Sequence, residues 1–547
     1  QKNPSSALVN GGFSFQPKAA EVFGCPHQHG TCGRAQLRAK RSGKAQIHPL
    51  HLPVTCYFCG MRKYYWLAAF FALAVALRWG SFFISVINHD ESTYIVIADE
   101  MLRGEVYFRD VIDTKPIGIF WIYEALIWLT GGAIWALRIA AAFVVALGAW
   151  GLFLAGRRAT GADKVGIAAG VIYCWSCAIY TYYGLSPNTE IFFNIFTIMA
   201  VALAVAPRFK EGHTDTFWHW PVAGLLLGLA VIIKPFAAAE SLAVGLFMVW
   251  YYVSQRKYAT VVTAGLSLVA AFSLPLLFIY GYYQRLDLLE AFQFYTFEVS
   301  SAYPIDLPWY LRLKYMGDYL LRYTPFVLLG AGALVQCQRL KAKKNKAALR
   351  WGYYLLLQFL LVTIVVLLTG KRFGHYQVQL HPVVALLAGL WWLPGLTVYP
   401  WLRREKLRRW TPYLVGGLAF LLGTIHFFHY QNKDDKPARI AAYLEDKLAP
   451  GETYFGINGW QIIYHLLDRP VPTPYVHSSL LYLDHHVRAF QIDERAEAER
   501  IIADPKVMYL VGRAHDDIAD TPLTDRLLEV FAPHDMIGKE IKVWKRK

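Results

Sequence analysis

Charged residues are scarce in this sequence of 547 residues: Asp, Glu, Lys and Arg make up 17%, whereas 56% of the residues are hydrophobic. Soluble proteins carry about 25% charged residues, so the composition excludes a soluble globular chain. The formal net charge of +16 would suit a nucleic-acid partner, but the basic residues lie in short segments between apolar runs. The sequence therefore predicts a polytopic membrane protein with no nucleic-acid partner.

Two further absences reduce the number of functions that the sequence allows. The seven cysteines form no disulfide framework, and Cys174, Cys177 and Cys337 lie within or at the end of apolar runs, where we expect them to pack. The sequence also contains no Gly-rich phosphate loop and no dinucleotide-binding fingerprint. A site for ATP or a nucleotide sugar is therefore not supported.

Residues 1–60 differ from the rest, because they are polar and show no apolar periodicity. We interpret them as a disordered extension or the product of a misplaced start, since Met61 opens a short positive segment that precedes an apolar helix. The Cys and His residues within 25–32, with the two cysteines of 56–59, suggest zinc ligation as an alternative. The extension is the favoured hypothesis.

Eleven apolar runs have the length of about 20 residues that crosses a bilayer. They cover residues 64–87, 133–155, 165–183, 188–206, 219–236, 237–254, 259–283, 318–337, 351–369, 376–398 and 410–430. The run 117–131 is shorter, carries Glu124 and is rich in Trp and Tyr, so we expect it to lie on the membrane surface. The sequence predicts an all-α polytopic bundle of about 11 transmembrane helices, spanning 61–435.

The basic residues favour the same arrangement, because Lys and Arg concentrate in cytoplasmic loops. With 117–131 outside the bilayer, all strongly basic loops fall on one side: 157–164, 208–210, 256–257, 339–350 and 403–409. The segments that share the other side are 88–132, 284–317, 370–376 and the chain after 430. We therefore expect a bacterial-type inner (plasma) membrane protein whose first long loop and C-terminal part are extracytoplasmic.

The composition changes near residue 436, where Asp, Glu and Pro return and apolar runs shorten. Hydrophobic periodicity predicts helices at 437–447, 459–467 and 486–504, and strands at 453–457, 507–511 and 541–544. Residues 436–547 are therefore predicted to form a small α/β domain outside the membrane.

The first external loop, 88–132, carries the most conspicuous polar stretch. Asp90 and Glu91 are adjacent, and Tyr94 shares a face with Asp90 if a juxtamembrane amphipathic helix covers 91–103. A carboxylate at a helix start is favoured in its ionised form, and it can accept the proton of an attacking hydroxyl. The alternative is an ordinary solvated loop.

Several motifs occur together in a fixed order. They are Asp90-Glu91 with Tyr94, Lys115-Pro116, Arg138 at the start of a helix, Asn188-Thr189-Glu190, Gly228 to Lys234-Pro235, Lys371-Arg372 to His375-Tyr376, and His381-Pro382. From about Met61 to its end, the chain resembles the GT-C-fold glycosyltransferases. Within them, its motif pattern is similar to that of the protein O-mannosyltransferases and the lipid A aminoarabinose transferase. Taken singly, Arg138 could anchor a helix end in the headgroup region, Glu190 could cap a helix, and Lys234 could snorkel to the membrane surface. Taken together, the motifs favour an enzyme.

The resemblance implies Asp90 as the catalytic carboxylate, with Glu91 beside it, and Lys115, Arg372 and Tyr376 as ligands of a lipid phosphate. The supporting residues are Tyr94, Asp113, Arg138, Glu190 and Lys234. One departure matters: His375-Tyr376 stands where the family has Arg-Tyr, which leaves both Arg372 and His375 as candidate phosphate ligands. The usual Lys-Pro-Pro is Lys115-Pro116-Ile117 here.

The implied reaction moves a sugar from a polyprenyl-phosphate donor to a lipid, glycan or protein acceptor, with inversion at the anomeric carbon. No cofactor is implied with certainty, and a divalent metal is left open. Two other functions compete: a transporter or flippase, which the lack of a visible inverted repeat weakens, and a polysaccharide ligase or polymerase that uses a lipid-linked donor.

Overall fold

A computed structural model describes residues 55–210, 212–302, 307–339, 343–396, 405–516 and 519–547. The hypotheses for the N-terminal extension up to residue 54, and for zinc ligation within 25–32, lie outside the described residues.

The N-terminal four-fifths of the described chain is helical. Its α-helices are α1 (Thr55–Arg78), α2 (His89–Leu102), α3 (Ile117–Thr130), α4 (Ile134–Thr160), α5 (Asp163–Ser176), α6 (Thr189–Ala200), α7 (His219–Ile233), α8 (Ala238–Ser254), α9 (Tyr258–Arg285), α10 (Leu289–Gln293), α11 (Val299–Ala302), α12 (Trp309–Arg322), α13 (Thr324–Arg339), α14 (Lys343–Leu368), α15 (His381–Gly389) and α16 (Glu405–Gln431). Each of the eleven predicted apolar runs overlaps with one or more of these helices.

Six helices are long and apolar enough to cross a membrane within the described ranges, and seven if the pair α12 and α13 forms one span. Fewer helices than predicted runs reach this length because several runs are interrupted. The run 318–337 is bent by 83° between α12 and α13. The break lies at Tyr323, and Pro325 in the first turn of α13 has no N–H that could continue the hydrogen bonds of α12. The run 376–398 begins as a 3-10 helix, Gly374–Leu380, before the nine residues of α15.

Small residues let the long helices approach closely. A Cβ on Gly224 or Gly228 of α7 would lie 2.2 or 2.3 Å from carbonyl oxygens of α9. Gly166 brings α5 equally close to the carbonyl of Phe153 in α4. Close backbone approach is how helices pack in lipid, where the hydrophobic effect does not drive their association. The described cysteines 174, 177 and 337 are buried and free, in agreement with their predicted packing role.

The C-terminal part is the predicted small α/β domain. Its elements are α17 (Lys436–Glu445), β1 (Thr453–Gly456), α18 (Ile462–Leu466), α19 (Ser479–Tyr482), α20 (Asp484–Ala489), α21 (Glu494–Ala503), β2 (Val507–Arg513), α22 (Pro522–Val530), β3 (Phe531–Ile537) and β4 (Ile541–Arg546). The sheet order is β1-β2-β4-β3, with β1 parallel to β2 and the other pairs antiparallel.

Two details of this domain differ from the prediction. The helix expected at 486–504 is two helices, because the Asp493 side chain accepts hydrogen bonds from Arg495 N and Ala496 N and so starts α21. The sequence pattern also missed α22 and β3. Four consecutive residues of β3, 533–536, are exposed, which removes the apolar alternation that identifies a strand.

Helix α2 also differs from its predicted surface position, because nine of its fourteen residues are buried. The C-terminal domain covers it: the Gln461 amide donates to His89 O at 3.2 Å and to Thr93 Oγ1 at 3.0 Å. His465 Nδ1 lies 2.6 Å from an oxygen of Asp99. Helix α2 is therefore clamped between the bundle and the C-terminal domain.

Gly118 in helix α3 allows the close packing of the first loop against α7 to be tested. A Cβ on Gly118 would lie 2.5 Å from the backbone oxygen of Ile232 in α7, so we expect Gly118→Ala to push α3 away and to cost about 1–3 kcal/mol of stability. Thermal unfolding in detergent would show a lower Tm. Gly245→Ala in α8 is the matched control, because its Cβ meets no atom within 4 Å and alanine favours helix. Equal Tm values for the two variants would contradict this packing.

Candidate active site

The start of α2 positions the acidic pair. The Asn88 side chain caps the helix by accepting a hydrogen bond from Asp90 N at 3.0 Å, which places Asp90 and Glu91 in the first turn. The positive end of the helix dipole favours carboxylates there. The two side chains differ in exposure, at 16% for Asp90 and 2% for Glu91, so only Asp90 is accessible to a substrate.

Lys115 joins the two polar halves of the first loop. Its Nζ lies 3.0 Å from Asp90 Oδ1 and 3.4 Å from Asp113 Oδ2. The buried Tyr107 hydroxyl donates to the backbone oxygens of Asp113 and Lys115, at 2.9 and 2.6 Å. The loop is therefore held so that one ammonium group serves two carboxylates.

The local charges determine the protonation states of this cluster. Burial by itself raises the pKa of the Asp90 carboxyl, but the charge of Lys115, with contributions from His375 and His477, holds that pKa well below its usual range. Burial lowers the pKa of Lys115, and the carboxylates of Asp113 and Asp90 more than reverse this effect. At neutral pH, Asp90 is ionised and Lys115 is charged.

Glu91 belongs to a separate buried ion pair. Arg138 Nε lies 2.9 Å from Glu91 Oε1, and its NH2 lies 3.1 Å from Oε2. The same guanidinium donates to the backbone oxygens of Ser81 and Ile84. Both Glu91 oxygens are thus engaged by an arginine that is itself 2% exposed, so the structure gives Glu91 a positioning geometry, whereas Asp90 stays accessible.

A second buried pair lies next to the first cluster. Lys234 donates to Glu190, which is fully buried, and its Nζ lies 3.9 Å from the ring centroid of Tyr376. The rings of Tyr376 and His375 are in edge contact at 4.7 Å, and His375 Nε2 lies 3.8 Å from Asp90 Oδ2. His375 and Tyr376 therefore connect the two ion pairs.

Arg372 occupies the exposed edge of the site. Its guanidinium lies 4.9 Å above the ring of Tyr315, and it makes no hydrogen bond or ion pair with any residue that the structure describes. It is therefore available to an incoming anion, whereas His375 is buried beside Asp90. Tyr94 is buried too, with Lys115 Nζ 5.9 Å from its ring centroid.

His477 is a site residue that the sequence pattern missed. It lies in the C-terminal domain, where its Nδ1 is 2.7 Å from Ser479 Oγ. Burial and then the charge of Lys115 lower the pKa of His477 to about 4, so it is neutral at pH 7. No motif could have identified it, since its position depends on the docking of that domain onto α2. Within the described ranges, no group of three His, Cys, Asp or Glu residues has the geometry of a metal site.

Comparison with known proteins supports the fold. The family model of dolichyl-phosphate-mannose-protein mannosyltransferases matches residues 114–279. The crystal structure of ArnT from Cupriavidus metallidurans bound to undecaprenyl phosphate superimposes with a TM-score of 0.57 at 15% identity, over 90% of this chain and 98% of that chain. Its apo structure gives the same TM-score at 14% identity. The chain has the GT-C fold.

Two curated relatives support the same resemblance. The undecaprenyl phosphate-alpha-4-amino-4-deoxy-L-arabinose arabinosyl transferase 1 of Pseudomonas fluorescens is 26% identical over 343 residues, which cover 58% of this chain and 55% of that protein. The corresponding transferase of Pectobacterium carotovorum is 27% identical over 157 residues, or 27% and 28% of the two chains. The resemblance to GT-C-fold glycosyltransferases inferred from the motifs is confirmed, although the first alignment spans about half of its relative.

The Glu91 and Arg138 pair makes a stability prediction. Arg138→Met should cost about 3–5 kcal/mol, because it leaves the Glu91 carboxylate buried without a partner. The double variant Glu91→Gln with Arg138→Met removes both charges and should recover part of that loss. Thermal unfolding of the single and double variants in detergent measures the coupling. Additive losses would show that the two charges do not depend on each other.

Proposed function

We propose that this chain is an integral-membrane glycosyltransferase that moves a sugar from a polyprenyl-phosphate donor to an acceptor with inversion. The observation that carries the proposal is the accessible, ionised Asp90 beside Lys115 at a polar site next to apolar helices. The named activities of the two curated relatives, which involve an undecaprenyl phosphate-linked sugar, support the donor class.

The reaction breaks the bond between the anomeric carbon and the phosphate oxygen of the donor. The acceptor oxygen forms the new bond from the opposite face, which inverts the anomeric carbon. Asp90 accepts the hydroxyl proton of the acceptor, and the polyprenyl phosphate leaves with the bonding electron pair. Positive groups aimed at the phosphate stabilise the charge that develops there.

Lys115 has two roles in this scheme. Before the donor binds, its charge keeps Asp90 ionised but also makes that carboxylate a weak base. When the donor phosphate arrives, it competes for the ammonium, so the pKa of Asp90 rises toward the range useful for proton transfer. Donor binding thus makes Asp90 a stronger base.

The exposed Arg372 and the Tyr376 hydroxyl complete the proposed phosphate site. Arginine can bind two phosphate oxygens at once, and the phenol is a neutral donor. His375, which is buried against Asp90, is better placed to orient the carboxylate than to meet the phosphate first. His375 and Arg372 therefore have different proposed roles: His375 orients Asp90, and Arg372 binds the phosphate.

We further propose that the site and the C-terminal domain face the extracytoplasmic side of a bacterial-type inner membrane, because the basic loops share the other side. Single-cysteine labelling in intact cells tests this orientation. A cysteine at Asp525 should react with an impermeant reagent, whereas one at Lys257 should not. The reverse pattern would invert the topology.

Purified protein with labelled polyprenyl-phosphate sugars distinguishes the competing functions. A transferase releases the lipid phosphate when an acceptor preparation is added, whereas a flippase moves the donor without cleaving it. Formation of a growing polysaccharide would instead assign a ligase or polymerase.

Asp90→Asn is the direct test of the catalytic role. The amide keeps the shape of the side chain but cannot accept a proton, so we expect turnover to fall by about 10²- to 10⁴-fold. The measurement is release of lipid phosphate, with folding checked by thermal unfolding. Glu105→Gln, an acid-to-amide change at an exposed position of the same loop, should retain activity. Wild-type turnover of Asp90→Asn would exclude Asp90 as the base.

Lys115→Met should change the pH profile. Without the ammonium, burial remains to raise the pKa of Asp90, so the carboxylate becomes protonated at higher pH and the acid limb of kcat/KM shifts upward. Lys314→Met, at an exposed external position, should leave the limb unchanged. An acid limb that stays in place in Lys115→Met would separate Lys115 from the ionisation of Asp90.

A further inference from the structure

A basic pocket lies at the end of the bundle remote from Asp90. It is a cavity of about 450 Å³ lined by Arg157, Arg158, Lys210, His213 and His219. These residues lie at the C-terminal end of α4 and on the segment that follows α6. Helix α4 is about 40 Å long, at 1.5 Å per residue, and Arg138 at its other end binds Glu91. The pocket is therefore about one bilayer thickness from the proposed active site.

The charges in the pocket are not balanced. Arg157 pairs with Asp163 at 2.9 Å, and Arg158 donates to a backbone oxygen, that of Ala202, at 2.8 Å. Lys210 makes no side-chain hydrogen bond or ion pair within the described ranges, from which Glu211 is missing. A single acid thus faces three cations among the described lining residues, so the pocket favours an anion.

Two histidine nitrogens in the pocket are buried without a partner. His213 Nε2 and His219 Nδ1 accept and donate no hydrogen bond among the described residues. The two rings are stacked, with centroids 6.2 Å apart and an angle of 16° between their planes. Buried polar atoms are usually hydrogen-bonded, and leaving one unpaired is costly. A ligand whose oxygens accept from these rings would remove that cost.

An ion pair lies near the two histidines. The fully buried Arg208 donates to Asp215, and its guanidinium lies 4.2 Å from the ring centroid of Trp220. The Tyr252 hydroxyl donates to the other oxygen of Asp215. The negative charge of Asp215 is balanced by its partner Arg208, so this pair adds no net charge beside the pocket.

Exposed aromatic side chains flank the pocket. Trp218 is 71% exposed and Phe217 is 48% exposed, immediately before His219. Trp and other aromatic residues concentrate where a membrane protein meets the lipid headgroups. The pocket thus opens at the level where phosphate groups of lipids lie.

We propose that the basic pocket binds a phosphate group, carried either by a lipid headgroup at that surface or by free inorganic phosphate. Lys210 and the two arginines supply charge-assisted hydrogen bonds to phosphate oxygens, and the two histidine nitrogens supply neutral ones. The site is independent of the proposed transfer reaction, because it lies at the other end of α4.

The test measures binding to the full-length protein in detergent by native mass spectrometry, with phosphatidylglycerol and with uncharged diacylglycerol. Lys210→Gln should weaken phosphatidylglycerol binding about tenfold, the loss typical of one charged hydrogen bond. Lys257→Gln is the matched control, since Lys257 is exposed at the same end but outside the pocket. Asp163→Asn frees Arg157 and should strengthen binding, a gain that misfolding cannot produce.

Competition by inorganic phosphate identifies the source of the ligand. If millimolar phosphate displaces the lipid and raises the Tm of the wild type but not of Lys210→Gln, the pocket takes free phosphate. If phosphate does not compete, while phosphatidylglycerol binds and diacylglycerol does not, the ligand is a lipid headgroup. The proposal would be overturned if neither phosphatidylglycerol nor inorganic phosphate bound, or if Lys210→Gln and Lys257→Gln weakened binding equally.

Discussion

The contact between the Arg138 guanidinium and Glu91 holds the polar mouth of this bundle together. Charges buried among apolar helices are stable only if every polar atom has a partner, and Arg138 meets this condition by also binding backbone oxygens of Ser81 and Ile84. One side chain thereby ties the end of α1 and the start of α2 to α4. Asp90, the residue before Glu91, is consequently placed by the bundle itself and not by a mobile loop.

The same requirement explains the different exposure of the ion pairs. The pair of Glu190 and Lys234 is more deeply buried, with 0% and 12% of the two side chains exposed, and Lys234 contacts the ring of Tyr376. Asp90 and Lys115 keep 16% and 25% of their side chains exposed. A pair that must exchange partners during a reaction cannot be fully buried, because water or substrate has to reach it. The C-terminal domain lies on α2 beside this site and contributes the neutral His477.

Motifs and hydrophobic periodicity predicted the helical bundle and the small α/β domain, and they placed Asp90 and Lys115 in the same external loop; the ion pair between these two residues appears only in the structure. They could not predict the buried position of α2, because that depends on contacts between His89 and Gln461, 372 residues apart. The pairing of Glu91 with Arg138 could not be predicted either, because the two residues lie 47 positions apart. The bend before Pro325 could have been predicted from the proline, but it lies within an apolar run of 20 residues, which by its length indicates one continuous helix.

Under the proposed reaction, the low pKa of Asp90 has a mechanistic consequence. A carboxylate whose proton affinity is suppressed by an ammonium is inactive as a base toward a stray hydroxyl, including that of water. The donor phosphate relieves this suppression by drawing on the charge of Lys115, so donor binding and the proton affinity of Asp90 are linked, and the linkage acts in both directions. The sugar is then attacked only when its phosphate already occupies the site, because donor binding and activation of the base are one event.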